Sequence, residues 1–123
     1  MAPWLCVAAG GALGALSRYG IGNLPFIAGS PHFKTLLINI AGCLMIGIAW
    51  AVFETWQVPR MWYNMVIAGF LGGFTTYSSF SLETMRLLGD GKVGESLLYV
   101  TLTVIGCLGA CAVGLYITKS VLK

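Results

Sequence analysis

Residues 35–53 and 96–118 each run without a single charged side chain, and apolar residues dominate both. An α-helix rises 1.5 Å per residue, so roughly 20 such residues cross a hydrocarbon core about 30 Å thick. Two further apolar runs, at about 4–22 and 62–88, leave only short connections in a chain of 123 residues. Charged residues make up 9% of it, against about 25% in a typical soluble domain. The sequence therefore predicts an all-α membrane protein: a single transmembrane domain over 1–123, with four transmembrane helices at about 4–22, 35–53, 62–88 and 94–118. The first run has no basic segment or cleavage pattern ahead of it and reads as a retained helix rather than a removed signal.

Trp4, Trp50, Trp56, Trp62, Tyr63 and Tyr116 stand near the predicted span ends, where amphipathic rings favour the headgroup region. Small residues recur at four-residue spacing in Gly10/Gly14, Gly69/Gly73 and Gly106/Ala110/Gly114, which lets helix backbones approach closely. Four spans enclose little interior, so an oligomer is expected. Both termini fall on one side with Arg60, Lys119 and Lys123, while Arg18, Lys34, Arg86 and Lys92 fall on the other. Such a balance removes the usual basis for a single orientation and predicts insertion both ways, with an antiparallel dimer. The net charge of +3 is spread without a basic cluster, so no nucleic-acid partner is expected.

Ionisable residues at membrane depth are costly and usually functional. Glu54, Glu83, Asp90 and Glu95 all sit at predicted span ends or turns. His32 reads as a solvated loop residue. Cys6, Cys43, Cys107 and Cys111 all lie in apolar runs with no C-x-x-C spacing, so neither a disulfide framework nor a zinc site is expected. Cys107 and Cys111 are one helical turn apart and could contribute to a soft-metal site, but packing or pore lining is the simpler reading. No nucleophile, base and orienting group can be assembled, so the chain is not expected to be an enzyme.

The uncharged polar groups remain. Asn39 in the second span could bond across to a neighbouring helix or face a pore, and Thr101 and Thr103 lie in the fourth. The third span carries GGFTTYSSFSLE, from Gly72 to Glu83. Two glycines followed by Thr, Tyr and Ser are poor helix formers, so a break over 72–76 is expected. Broken backbone at this depth survives only when buried in protein or lining a polar cavity, and its freed carbonyls suit a bare alkali cation. Beyond it, Tyr77 and Phe80 place two rings on one face. The alternative is a helix that bends because its hydroxyls bond back to its own carbonyls.

These residues resemble the Fluc (CrcB) fluoride channel family over essentially the whole chain: GGALGALSRY, TLLINIAGCLMIG, GFLGGFTTYSSFSLE and the glycine-rich last span. The resemblance implies a dual-topology antiparallel homodimer in the cell inner (plasma) membrane, surrounded by lipid, with two pores for passive fluoride export that limits fluoride toxicity. It implies that the backbone carbonyls of Gly72 and Thr75 from both subunits hold a structural Na⁺. Phe80 would turn its ring edge to fluoride. Ser78, Ser79 and Ser81 match a hydroxyl track, Asn39 a pore asparagine, Arg18 a vestibule arginine and Glu83 an acid near a pore mouth. Three positions depart from the pattern: Tyr77 stands where many members have a second pore phenylalanine, and Cys107 and Cys111 where many have Ser and Thr. The alternatives are a small dual-topology multidrug or guanidinium-type transporter, which needs a mid-membrane acid, and a structural membrane subunit.

Overall fold

The structure, a computed structural model, describes residues 2–27 and 29–123. They form four helices: α1 (Pro3–Gly22), α2 (Pro31–Thr55), α3 (Arg60–Gly89, interrupted) and α4 (Val93–Val121). The last three are long and apolar enough to cross a membrane. α1 is 20 residues long, and its glycines and Arg18 dilute its apolar character.

α2 starts before the predicted span at 35. Ser30 Oγ accepts from Phe33 N–H at 3.4 Å, and Pro31 occupies a first-turn position where a missing N–H costs nothing. His32, expected in a solvated loop, is thus in the first turn of α2, with its ring 5.6 Å from that of Tyr99 and edge-on to it. The predicted turn Gly89-Asp90-Gly91-Lys92 is present. Gly91 adopts φ 75°, and Gly91 N–H and Lys92 N–H donate to Leu88 O and Leu87 O, closing α3 with the left-handed glycine cap that only a residue without Cβ adopts easily.

Close approaches set the helix directions. A methyl group at Gly10 would strike Met65 O, and one at Gly14 would strike Phe70 O. The contacts are reciprocal: a methyl at Gly69 would lie 2.8 Å from Val7 O, and one at Gly73 would lie 2.6 Å from Gly11 O. Numbers rise together along both partners, so α1 runs parallel to the first arm of α3, backbone on backbone. α2 and α4 form a second parallel pair. A methyl at Gly106 would meet the Ile40 side chain at 2.9 Å, Gly47 faces Cys111 O, and Gly114 approaches Leu44 O and Ile48 N. The spacing expected of glycine-packed helices is therefore present, joined by Gly42 and Gly47, which the sequence pattern did not single out.

The buried apolar cluster is small: Phe80, Leu87 and Tyr99, flanked by Leu36 and Val100. Leu16, Leu97, Ile105 and Leu108 are exposed. Such a surface suits lipid or a second copy better than water. At one end of the bundle Lys119 Nζ pairs with Glu54 at 2.8 Å, while Arg18, Lys34 and Glu83 gather at the other.

Candidate functional site

The polar run lies across the interruption of α3. Arg60–Tyr63 is α-helix, Asn64–Leu71 widens into π-helical turns where Gly10 and Gly14 press on it, and Gly72–Phe74 returns to α-helix. Thr75 (φ −83°, ψ 158°) and Thr76 (φ −147°, ψ 110°) are extended, and a fresh helix begins at Tyr77. The break thus falls at the end of the predicted stretch, on two β-branched residues suited to extended backbone. Both glycines stay helical.

Extended backbone inside a bundle needs partners. Asn39 supplies them: its Nδ2 donates to Thr76 O at 3.0 Å, and Thr76 N–H donates to its Oδ1 at 2.8 Å. The Asn39 side chain pairs with Thr76 as a neighbouring strand would. Thr76 Oγ1 in turn caps the new helix by accepting from Ser79 N–H at 3.2 Å. In a continuous helix these two N–H groups would have gone to Gly72 O and Thr75 O, four residues back. Redirecting them leaves both carbonyls without a backbone donor, while Gly73 O accepts from Arg18 Nε at 3.2 Å. Gly42 lies beneath the break, where any Cβ would strike Thr75 Cγ2.

Carbonyl oxygens are the ligand type that hard cations take, in shells of six or so. Among the described residues no three His, Cys, Asp or Glu side chains converge on a metal site.

A cavity of about 420 Å³ opens beside the break. α2 contributes Asn39 and Cys43, α3 contributes Thr75, Thr76, Tyr77 and Phe80, and α4 contributes Thr103 and Cys107. No carboxylate lines it. Because α2 and α4 are parallel, four-residue steps on each form facing rungs: Thr35 with Tyr99, Asn39 with Thr103, Cys43 with Cys107, Gly47 with Cys111. Thr103 is 8% exposed, and its Oγ1 has no hydrogen-bond partner among the described residues. Phe80 is buried with its ring 5.6 Å from Tyr77 and 5.2 Å from Tyr99, edge-to-face with both. Tyr77, 79% exposed, forms the rim.

A second cavity of about 160 Å³ lies on the other side of Thr76, which lines both. Arg18, Lys34, Thr35, Ser79 and Glu83 surround it. Glu83 is held from two sides, accepting from Thr35 Oγ1 at 2.8 Å and from Tyr99 Oη at 2.7 Å. The break therefore separates a cationic pocket from a largely apolar one, in which hydroxyl, thiol and amide groups stand among aromatic rings and the aliphatic Val100, Val104 and Leu108.

Comparison with known proteins bears on this arrangement. Residues 5–115 match the family model described as CrcB-like protein, Camphor Resistance (CrcB). The chain belongs to the CrcB family. It is 46% identical over 118 residues to a protein of Azotobacter vinelandii named "Fluoride-specific ion channel FluC", covering 94% of this chain and 95% of the relative. Proteins of the same name from Pseudomonas fluorescens Pf-5 and Nitrobacter winogradskyi are 46% and 37% identical, covering 94% of this chain and 95% and 94% of the relative.

Of the residues singled out in this CrcB sequence, Asn39, Thr75, Tyr77, Phe80 and Cys107 meet at the larger cavity, and Arg18, Ser79 and Glu83 at the smaller one. Ser78 and Ser81, three residues apart, fall on one face of the new helix, while Ser79 is turned away from Ser81 by about 160°. Ser78 is exposed and Ser81 half-buried, and neither lines these cavities; Gly72 is exposed. Cys111 sits one turn beyond Cys107, with its carbonyl over Gly47. Thr35, Cys43, Thr76 and Tyr99 also belong to the site without having been singled out, as does Thr103, noted only as a polar residue. For Thr35, Cys43, Tyr99 and Thr103 the signal is the four-residue spacing repeated on α2 and α4, whereas Thr76 lies within the stretch where the break was expected.

Proposed function

We propose that the chain is a fluoride-selective channel, passive, four-spanning, and active as an antiparallel dual-topology homodimer in the cell membrane. The observation that carries the reading is the chemistry of the larger cavity, which offers hydroxyls, an amide and ring edges but no carboxylate. Aromatic edges carry positive potential, so Phe80 and Tyr77 present it to an anion. The Asn39 amide spends one N–H on Thr76 and has a second to offer. Several weak contacts of this kind replace a hydration shell without trapping the ion. Arg18 and Lys34 raise the local anion concentration in the smaller cavity. There Ser79 continues the hydroxyl track and Glu83, tethered by Thr35 and Tyr99, stands at the mouth. Ser78, Ser81 and Cys111 complete the lining only with a second copy in place.

The released carbonyls of Gly72 and Thr75 would hold a structural Na⁺ together with those of the second copy. Bound there, the ion would supply a fixed positive charge beside the released carbonyls of both copies. Gly72 offers a clean test, since a methyl group there would meet nothing closer than Ile67 O at 3.8 Å within the chain. Gly72→Leu is expected to fold but to weaken dimerisation, measured by sedimentation in detergent; unchanged dimerisation counts against the shared cation site. For transport, proteoliposomes loaded with fluoride or chloride and given a potassium shunt should release fluoride far faster than chloride. Efflux equal to that of protein-free vesicles, with folded protein present, contradicts the reading.

A further inference from the structure

Three thiols line the seam between α2 and α4, and an anion path built on hydrogen-bond donors has no use for their particular chemistry. Cys43 and Cys107 line the same cavity from opposite helices, at one level of the register set by Ile40 against Gly106 and Gly47 against Cys111, and Cys111 lies one turn further along. The helices approach closely just beyond this level. Gly47 sits against Cys111 O and Gly114 against Leu44 O, so the facing thiols are held by the closest backbone contacts of the pair.

We propose that Cys43 and Cys107 form a two-sulfur site for a soft d¹⁰ metal cation of the Hg(II), Ag(I) or Cu(I) class. Soft ligands select soft cations, and ions of this class accept two sulfurs in line. Zinc is a poor fit, because it takes four ligands and no three metal-binding side chains converge among the described residues. The cavity has room for the ion at about 420 Å³, and contains no histidine or carboxylate to favour a harder one.

The reaction balances without a redox step. Each thiol releases its proton to water as its sulfur–metal bond forms. With Hg(II), two protons leave for two positive charges gained, so the site acquires no net charge in surroundings where an unpaired charge is expensive. A metal between Cys43 and Cys107 lies next to Asn39 and Phe80 and closes the cavity to anions. That last consequence rests on the channel reading, whereas the site itself does not.

The test titrates the full-length chain in detergent with mercuric chloride, reading sulfur-to-mercury charge-transfer absorbance and metal retained after gel filtration. One tightly held ion per chain is expected. Cys43→Ser and Cys107→Ser should each weaken it by at least about 10-fold, and Cys6→Ser, on α1, should leave it unchanged. Cys43→Ala and Cys107→Ala repeat the comparison should either serine variant fold poorly. Equal affinity in wild type and both variants, or loss in Cys6→Ser, overturns the site. In fluoride-loaded vesicles, each sample is compared with its own efflux before metal: mercuric chloride should abolish wild-type efflux, with recovery on adding dithiothreitol, and leave the double variant at whatever rate it shows without metal. Full efflux with metal bound overturns the closure. Absence of efflux from every sample tells instead against the channel reading, while the absorbance still reports the site.

Discussion

The two parallel helix pairs are built on different principles. α1 and the first arm of α3 meet through glycine, with Gly10, Gly14, Gly69 and Gly73 each against the partner's backbone. α2 and α4 also approach through glycine, at Gly47 and Gly114, but carry between them the rungs Thr35/Tyr99, Asn39/Thr103 and Cys43/Cys107. The first pair is a close-packed frame whose one side-chain hydrogen bond among the described residues runs from Arg18 Nε to Gly73 O. The second is a seam of polar and polarisable groups, opened on one side by the break in α3. Holding non-helical backbone at this depth takes both: a frame that fixes the broken helix, and a seam that satisfies what the break exposes.

Substitutions can separate the two contributions. The largest effect is expected at Gly14→Leu, where any side chain collides with the Phe70 carbonyl and overpacking costs about 3 kcal/mol or more. Loss of a monodisperse peak and a lowered unfolding temperature would show it; a wild-type profile would mean the frame is not what fixes α3. Asn39→Ala comes next. It strands Thr76 N–H and O, at about 1–3 kcal/mol for each group left unpaired, and should lower both thermal stability and fluoride efflux. Thr103→Val keeps the shape and removes a hydroxyl that has no partner among the described residues, so stability should hold or rise slightly while efflux falls. A clear loss of stability there would reveal a structural role instead. Lys119→Gln removes a half-exposed ion pair with Glu54 and should cost less than about 1 kcal/mol, with efflux intact.

The frame was more legible in the sequence than the seam. Glycines four residues apart on two apolar runs announce close packing whatever the partner, and Gly10/Gly14 and Gly69/Gly73 do pack as the spacing predicts. The break was legible in kind, through GGFTT, but its position on Thr75 and Thr76 depends on Asn39, 37 residues away from Thr76. Asn39 stayed ambiguous between a structural and a pore role for the same reason; it bonds the break and lines the cavity at once. Thr35, Tyr99 and Thr103 look ordinary one at a time. Their alignment exists only after α2 and α4 are known to run parallel, and no local propensity encodes that. The π-helical turns at Asn64–Leu71 leave no compositional trace either, since they arise where α1 presses on α3.

Phe80 is where the restarted helix meets the seam: it is buried against Tyr99 of α4, edge-on to Tyr77, and on the wall of the larger cavity. The most direct measurement is therefore fluoride efflux from proteoliposomes containing the wild-type chain or Phe80→Ile, followed with a fluoride electrode and with folding of each checked by circular dichroism. The expected result is rapid efflux from the wild type and efflux reduced to near background in the variant, because isoleucine fills the space but has no electropositive edge. Wild-type efflux no faster than that of empty vesicles, or a variant as fast as the wild type, would contradict the account.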